Sequence, residues 1–120
     1  MKKSKAIPLL LLWLAACRGE TITISHATGT SLRTRYVEQG DSMLPLIHPG
    51  DWLRVDKTVP YRDLKAGMVA VFNWQGELVS HELVRLTRYG WITKGINNRD
   101  LDRDYLTERD YVGVVVEIFR

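Results

Sequence analysis

Residues 32–120 break into short runs of β-forming side chains separated by turn signals, and no window of ten or more residues there keeps a helical period. The runs are Leu32–Glu38, Trp52–Asp56, Met68–Trp74, Leu78–Arg88, Trp91–Lys94 and Tyr111–Phe119. Gln75-Gly76 and Tyr89-Gly90 are pairs that favour tight hairpins, and Pro45, Pro49 and Pro60 all fall between runs, where a missing amide donor costs a sheet nothing. The pattern predicts a compact, mostly β domain with short helical turns at Met43–Ile47 and Tyr61–Leu64. A chain of 120 residues holds one such domain with one modest core, and any site must be built on it.

The first 16 residues read differently. Lys2, Lys3 and Lys5 precede an apolar run of ten residues, Ile7 to Ala16, which is the layout of a secretory signal and too short for the roughly 20 residues that span a bilayer. Without residues 1–16, the 17 Lys and Arg fall to 14, against 14 Asp and Glu. The net charge of +3 thus belongs to the leader, and the domain has no basic excess to suggest nucleic acid as a partner.

Leu14-Ala15-Ala16-Cys17 resembles the lipobox of bacterial lipoproteins, which implies cleavage before Cys17 and lipidation of its thiol. Cys17 is the only cysteine, so no intramolecular disulfide can form, and lipid would remove an exposed thiol from an oxidising compartment. The expected organisation is a signal peptide at 1–16, a tether at 17–31 with a candidate edge strand at Thr21–Ile24, and a single domain at 32–120. The expected location is the extracytoplasmic face of the cell envelope, membrane-associated through lipidated Cys17 or the apolar segment itself.

Two residues suggest chemistry. Ser42 lies in Gly40-Asp41-Ser42-Met43-Leu44-Pro45, a turn-forming stretch after a β run, and His81 follows 39 residues later within Leu78–Arg88. A serine hydroxyl is a weak nucleophile until a positioned base takes its proton, and histidine is the commonest such base. Alternation places His81 on the same strand face as Val79 and Leu83. Of the other histidines, His48 sits in a turn and His26 in the tether, and their spacing suits no metal. No cofactor is expected. Asn97–Asp110, with four aspartates, reads as a solvated loop between two strands.

In chain order, Ser42-Met43-Leu44-Pro45, Gly50-Asp51, Gly67 with Val69 and Val71-Phe72, His81, Thr93-Lys94-Gly95 with Asn97-Asn98, Asp100 and Asp102, and Gly113-Val114-Val115 form a series. It resembles the signal peptidase I family of serine proteases, closest to the archaeal and endoplasmic-reticulum type, which uses Ser-His where the common bacterial type uses Ser-Lys. The resemblance covers residues 36–120 and implies a signal-peptidase-like β domain, with Ser42 as nucleophile, His81 as general base and Asp102 as the acid that orients it. Asp100 is a possible additional acidic partner, Gly50-Asp51 a structural pair beside the nucleophile, and Lys94-Gly95 a matched structural position. Four positions depart from the pattern: Ile96 replaces an aspartate, Glu82 an arginine, Met68 an aspartate, and Gly40 the hydroxyl residue found in some members.

These readings imply a membrane-associated serine endopeptidase that cuts signal peptides or similar extended segments of exported proteins after a small residue. The alternative is a catalytically impaired, lipid-anchored β-domain that binds peptides or envelope partners, a reading that Ile96 and Glu82 motivate. A Ser-Lys site, as in bacterial signal peptidases or LexA-type autopeptidases, would have to draw on Lys57, Lys65 or Lys94. Trp52, Trp74 and Trp91 are expected in the core or the cleft wall. Nothing in the chain sets an oligomeric state.

Overall fold

A computed structural model describes residues 19–24 and 34–120. The leader, Cys17, most of the tether and the first two residues of the Leu32–Glu38 run lie outside the described residues. Seven strands form one antiparallel sheet: β1 Thr21–Thr23, β2 Thr34–Val37, β3 Trp52–Asp56, β4 Val69–Trp74, β5 Glu77–Thr87, β6 Gly90–Lys94 and β7 Tyr111–Phe119. Two 3₁₀ turns, Tyr61–Asp63 and Glu108–Asp110, are the only helical elements among the described residues. The mostly β architecture expected from the sequence is therefore the fold. The β3 and β7 boundaries match the expected runs, and the other boundaries that differ within the described residues move by one residue.

The sheet runs β2-β3-β7-β4-β5-β6, with β7 as its hub. One edge of β7 pairs with β3, from Trp52 opposite Phe119 to Asp56 opposite Val114. Its other edge is shared: β4 takes residues 111–114 and β1 takes Thr21 opposite Phe119 through Thr23 opposite Glu117. Two register shifts explain how one strand serves three. One skips Val112 against β4 and the other skips Val116 against β3, and each extra residue reverses the side-chain alternation. Val112, Val115 and Ile118 consequently face one core cluster, while Tyr111 and Val114 face the other. A spacing of three replaces the spacing of two.

The two clusters lie on opposite faces of β4. Val69 and Val71 join Met43, Ile47, Leu53, Val55, Val115 and Ile118, whereas Ala70 and Phe72 join Leu64, Leu83, Trp91, Leu106 and Val114. A strand buried on both faces needs a continuous apolar run, which Val69-Ala70-Val71-Phe72 supplies. Each fully buried aliphatic side chain contributes ~1.5–3 kcal/mol relative to exposure.

Both hairpins have two-residue loops. Gln75 and Gly76 connect β4 to β5 with φ of 51° and 83°, the doubly left-handed geometry that matches strand twist. The second loop is Arg88-Tyr89, one residue before the expected Tyr89-Gly90, and Gly90 instead opens β6 opposite Thr87. Close approach explains the glycine: a Cβ at Gly90 would lie 2.5 Å from the Leu106 carbonyl oxygen, because Leu106 bridges to Trp91. Asn97–Asp110 is the largely exposed loop between two strands that the sequence suggests, and the bridge at buried Leu106 pins it to β6.

Candidate active site

Ser42 sits on a turn anchored from below. The Leu44 amide donates to the Asp41 carbonyl at 3.2 Å, and the Ile47 amide to the Met43 carbonyl at 3.0 Å, closing the helical turn expected at Met43–Ile47. Met43 and Ile47, one turn apart, are both fully buried in the first core cluster. Ser42 immediately precedes this anchor, so its hydroxyl is held at the surface of the core and reaches the cleft.

The turn is closed behind by Gly50-Asp51. Gly50 has φ of 91°, and the Asp51 carboxylate accepts from the His48 amide at 2.7 Å and from the Arg120 guanidinium at 3.0 Å. Arg120 also donates to the Leu46 carbonyl at 2.9 Å and so clamps the segment that follows the serine. Burial disfavours the Asp51 charge, but the Arg120 and His48 hydrogen bonds outweigh it and hold the carboxyl below its ordinary range.

A second loop grips Ser42 from the side. The Asn97 amide donates to the Ser42 carbonyl at 2.7 Å, and the Asn97 side chain to the Asp41 carbonyl at 3.2 Å. A Cβ at Gly95 would lie 2.8 Å from the Ser42 carbonyl oxygen and 3.0 Å from its Cβ, so only glycine permits this contact. Ile96, which stands where the resembling family carries an aspartate, packs against the first core cluster and seats the loop. An acid there would face apolar side chains.

The three residues expected to carry chemistry meet at one point. Ser42 Oγ lies 3.1 Å from His81 Nε2, and His81 Nδ1 lies 2.5 Å from Asp102 Oδ2. An ionised carboxylate only accepts, so Nδ1 carries the proton and Nε2 is left to accept from the serine hydroxyl. The imidazole is packed edge-on to Phe72, with centroids 6.2 Å apart, and opposite Ala70 across the β4–β5 ladder. Its placement beside Val79 and Leu83 agrees with the alternation.

Asp102 is fixed by a residue that the sequence left without a role. Thr93 donates its hydroxyl to Asp102 Oδ2 at 2.7 Å, and its carbonyl accepts from the Asp102 amide at 2.9 Å. Burial opposes ionisation of Asp102, but hydrogen bonds from His81 and Thr93, with the nearby charges of His81 and Lys94, hold its carboxyl below the ordinary range. Asp100 is not brought to the site: its side chain is 79% exposed and pairs with Arg99.

The lysines are elsewhere. Lys94 donates to the Ile96 carbonyl at 3.3 Å, Lys57 lies over the Tyr36 ring, and Lys65 is exposed. Ser42 Oγ therefore has histidine, not lysine, as its partner. Among the described residues no set of three metal-ligating side chains is gathered, and no helix is long and apolar enough to cross a membrane.

Ser42 and His81 open onto a cleft of ≈ 1340 Å³, walled by residues 36–40 on one side and 77–81 on the other. Its size exceeds the ~300–1,000 Å³ typical of small-molecule sites and suits an extended chain. Trp52 and Trp74 line it half-exposed, whereas Trp91 is a core residue. Glu38, Ser80, Thr93, Asn97 and Arg120 complete the site or its supports. Of these, Thr93 and Asn97 stand within the motif around Lys94-Gly95, while Arg120, Glu38 and Ser80 carry no local signal.

A hydroxyl, an imidazole and a carboxylate in hydrogen-bonded sequence at the edge of a β-lined cleft are the constellation of a serine hydrolase. The family model described as Peptidase S24-like matches residues 19–116, and the chain belongs to that family of serine proteases, with a β fold of the signal-peptidase type. No curated protein and no solved structure matches the chain. The family found is thus S24-like, rather than signal peptidase I in particular.

Proposed function

We propose that the protein is a membrane-associated serine endopeptidase that cuts an extended segment of an exported protein through Ser42, His81 and Asp102. The observation that carries this reading is the unbroken chain of hydrogen bonds from Asp102 through His81 to Ser42 at the cleft mouth. As the Ser42 oxygen attacks a peptide carbonyl, His81 Nε2 takes its proton and Asp102 stabilises the imidazolium that results. The same imidazolium then protonates the leaving amine, and water, deprotonated by His81, releases the acyl group. The tight turn at Asp41–Leu44 allows backbone amides near Ser42 to serve the developing oxyanion, a role that Gly40 has no side chain to take.

The cleft walls supply the binding mode. β6 pairs with β5 only from Glu82 onward, and β2 pairs only with β3, so the segments that flank the cleft have strand edges without a sheet partner among the described residues. An extended peptide entering there adds as a strand and presents alternate side chains to the floor. A small residue before the cut is what the resemblance to signal peptidases implies.

A serine-directed phosphonate probe tests the chemistry. It is expected to label the parent and to label neither Ser42→Ala nor His81→Ala, with both variants shown to be folded by circular dichroism. Equal labelling of the His81→Ala variant would refute the mechanism. Silence of the folded parent would instead favour a binding module of the same fold, the reading that Glu82 and Ile96 motivate.

Lipid on Cys17 would keep the site at the bilayer, and the lipobox-like Leu14-Ala15-Ala16-Cys17 is what supports it. Radiolabelled fatty acid is expected in the parent and absent from Cys17→Ser. Labelling equal in both, or absent from both, would remove the anchor.

A further inference from the structure

Four residues before Ser42, Glu38 closes one wall of the cleft. Its backbone is fixed by the β3 side of the sheet, the amide donating to the Asp51 carbonyl at 2.8 Å and the carbonyl accepting from the Gly50 amide at 2.7 Å. Its side chain crosses to the opposite wall, where the Ser80 hydroxyl donates to Oε1 at 2.8 Å. Ser80 is buried, opposite Val71 on the β4–β5 ladder, and this contact places a carboxylate among the residues that line the cleft together with Ser42 and His81.

The second oxygen of that carboxylate, Oε2, has no protein donor among the described residues, yet it is not sealed from solvent. It is available to a ligand. Burial holds the Glu38 carboxyl above its ordinary range, although Ser80 and the charge of His81 pull against this. A cationic partner would relieve that cost. The cleft lining is mixed in polarity, with Leu53, Val71 and Val79 among its apolar residues. Apolar surface beside a carboxylate suits a long aliphatic stem with a charged head, because lysine and arginine bury their methylenes while the terminal charge seeks an acceptor. The cleft as a whole favours the same sign: Glu77 and Asp104 also line it, against Arg103 as the one arginine or lysine.

We infer that Glu38 is a specificity-determining residue, selecting extended peptides that carry a lysine or arginine at the first or third residue before the scissile bond. These two positions share a face of an extended strand. The inference rests on the endopeptidase reading and replaces its small-residue preference with a basic one.

The test is digestion of a randomised peptide mixture by the full-length protein in detergent, with cut sites read by mass spectrometry. Cuts are expected to be enriched about tenfold or more for Lys or Arg over Ala at the first or third position before the bond. Glu38→Gln, which keeps an acceptor for Ser80, is expected to lose the enrichment, and Glu38→Lys to shift it toward Glu or Asp. Cleavage by the parent without basic enrichment, or enrichment that survives in Glu38→Gln, would overturn the inference and leave the endopeptidase standing. No cleavage together with no acylation of Ser42 would bring down both.

Discussion

Along β5, residues Glu77–His81 pair with β4 on one edge and turn the other to the cleft, whereas Glu82–Thr87 pair with β6. Both halves open on Glu-Leu-Val, and both contain large exposed hydrophobics: Leu78 in the first, Val84 and Leu86 in the second. The difference lies in the offset between the partner strands. Because β6 begins to pair only after His81, the first half keeps an open edge and a reactive side chain, while the second half is scaffold. A register shift skips Val84 and puts Leu86, opposite Trp91, on the same face as Leu83, opposite Thr93, yet only Leu83 is buried. Function on this strand is set by where the neighbouring strand stops.

Three substitutions probe this division. The largest effect is expected from Asp102→Asn, which acts on the open half by removing the acceptor that sets the His81 tautomer. The rate of Ser42 acylation should fall on the order of 10²–10⁴-fold, as for loss of general-base assistance, with the fold retained. The same variant carries a pH signature. The folded pKa of Asp102 is depressed, so its stabilisation is complete above about pH 4, its ordinary range, and is lost as pH falls through the folded value. Denaturant midpoints measured below pH 4 should therefore drop more steeply for the parent than for Asp102→Asn. Parallel slopes would mean that the carboxylate is no better stabilised folded than unfolded.

An intermediate effect is expected in the paired half. Leu83→Ala removes a buried side chain from the second core cluster and should cost about 2–5 kcal/mol in denaturant unfolding. The folded protein should still acylate at a rate near that of the parent. Leu86→Ala, at a side chain 56% exposed, should change stability by less than ~0.5 kcal/mol and leave acylation untouched. A large loss of activity in Leu86→Ala would show that the paired half takes part in the chemistry and would end the comparison.

Much of this was legible from residues alone because it depends on local chemistry. Alternation located the strands and put His81 between Val79 and Leu83. Gln75-Gly76 marked a hairpin because two left-handed residues are needed there. Gly95 stood in the motif around Lys94, but its reason is tertiary, since the contact it permits is with Ser42, 53 positions earlier. The hairpin at Arg88-Tyr89 was misplaced by one residue because Gly90 answers to Leu106 rather than to the turn. The resemblance puts Asp102 ahead of Asp100, and Thr93, which binds only Asp102, supplies the physical reason.

By itself, the sequence determined a β-rich domain, a serine on a turn and a histidine on a half-buried strand, since hydrophobic period and turn chemistry act over a few residues. The tertiary structure decided what those residues meet. Two skipped valines let β7 serve both core clusters, Asp102 rather than Asp100 reached His81, and Arg120 closed behind the serine turn. Glu38 came to face Ser80 across the cleft for the same reason. Such contacts join residues many positions apart, and the free energy that selects them comes from burial and hydrogen bonding formed only when the whole sheet closes.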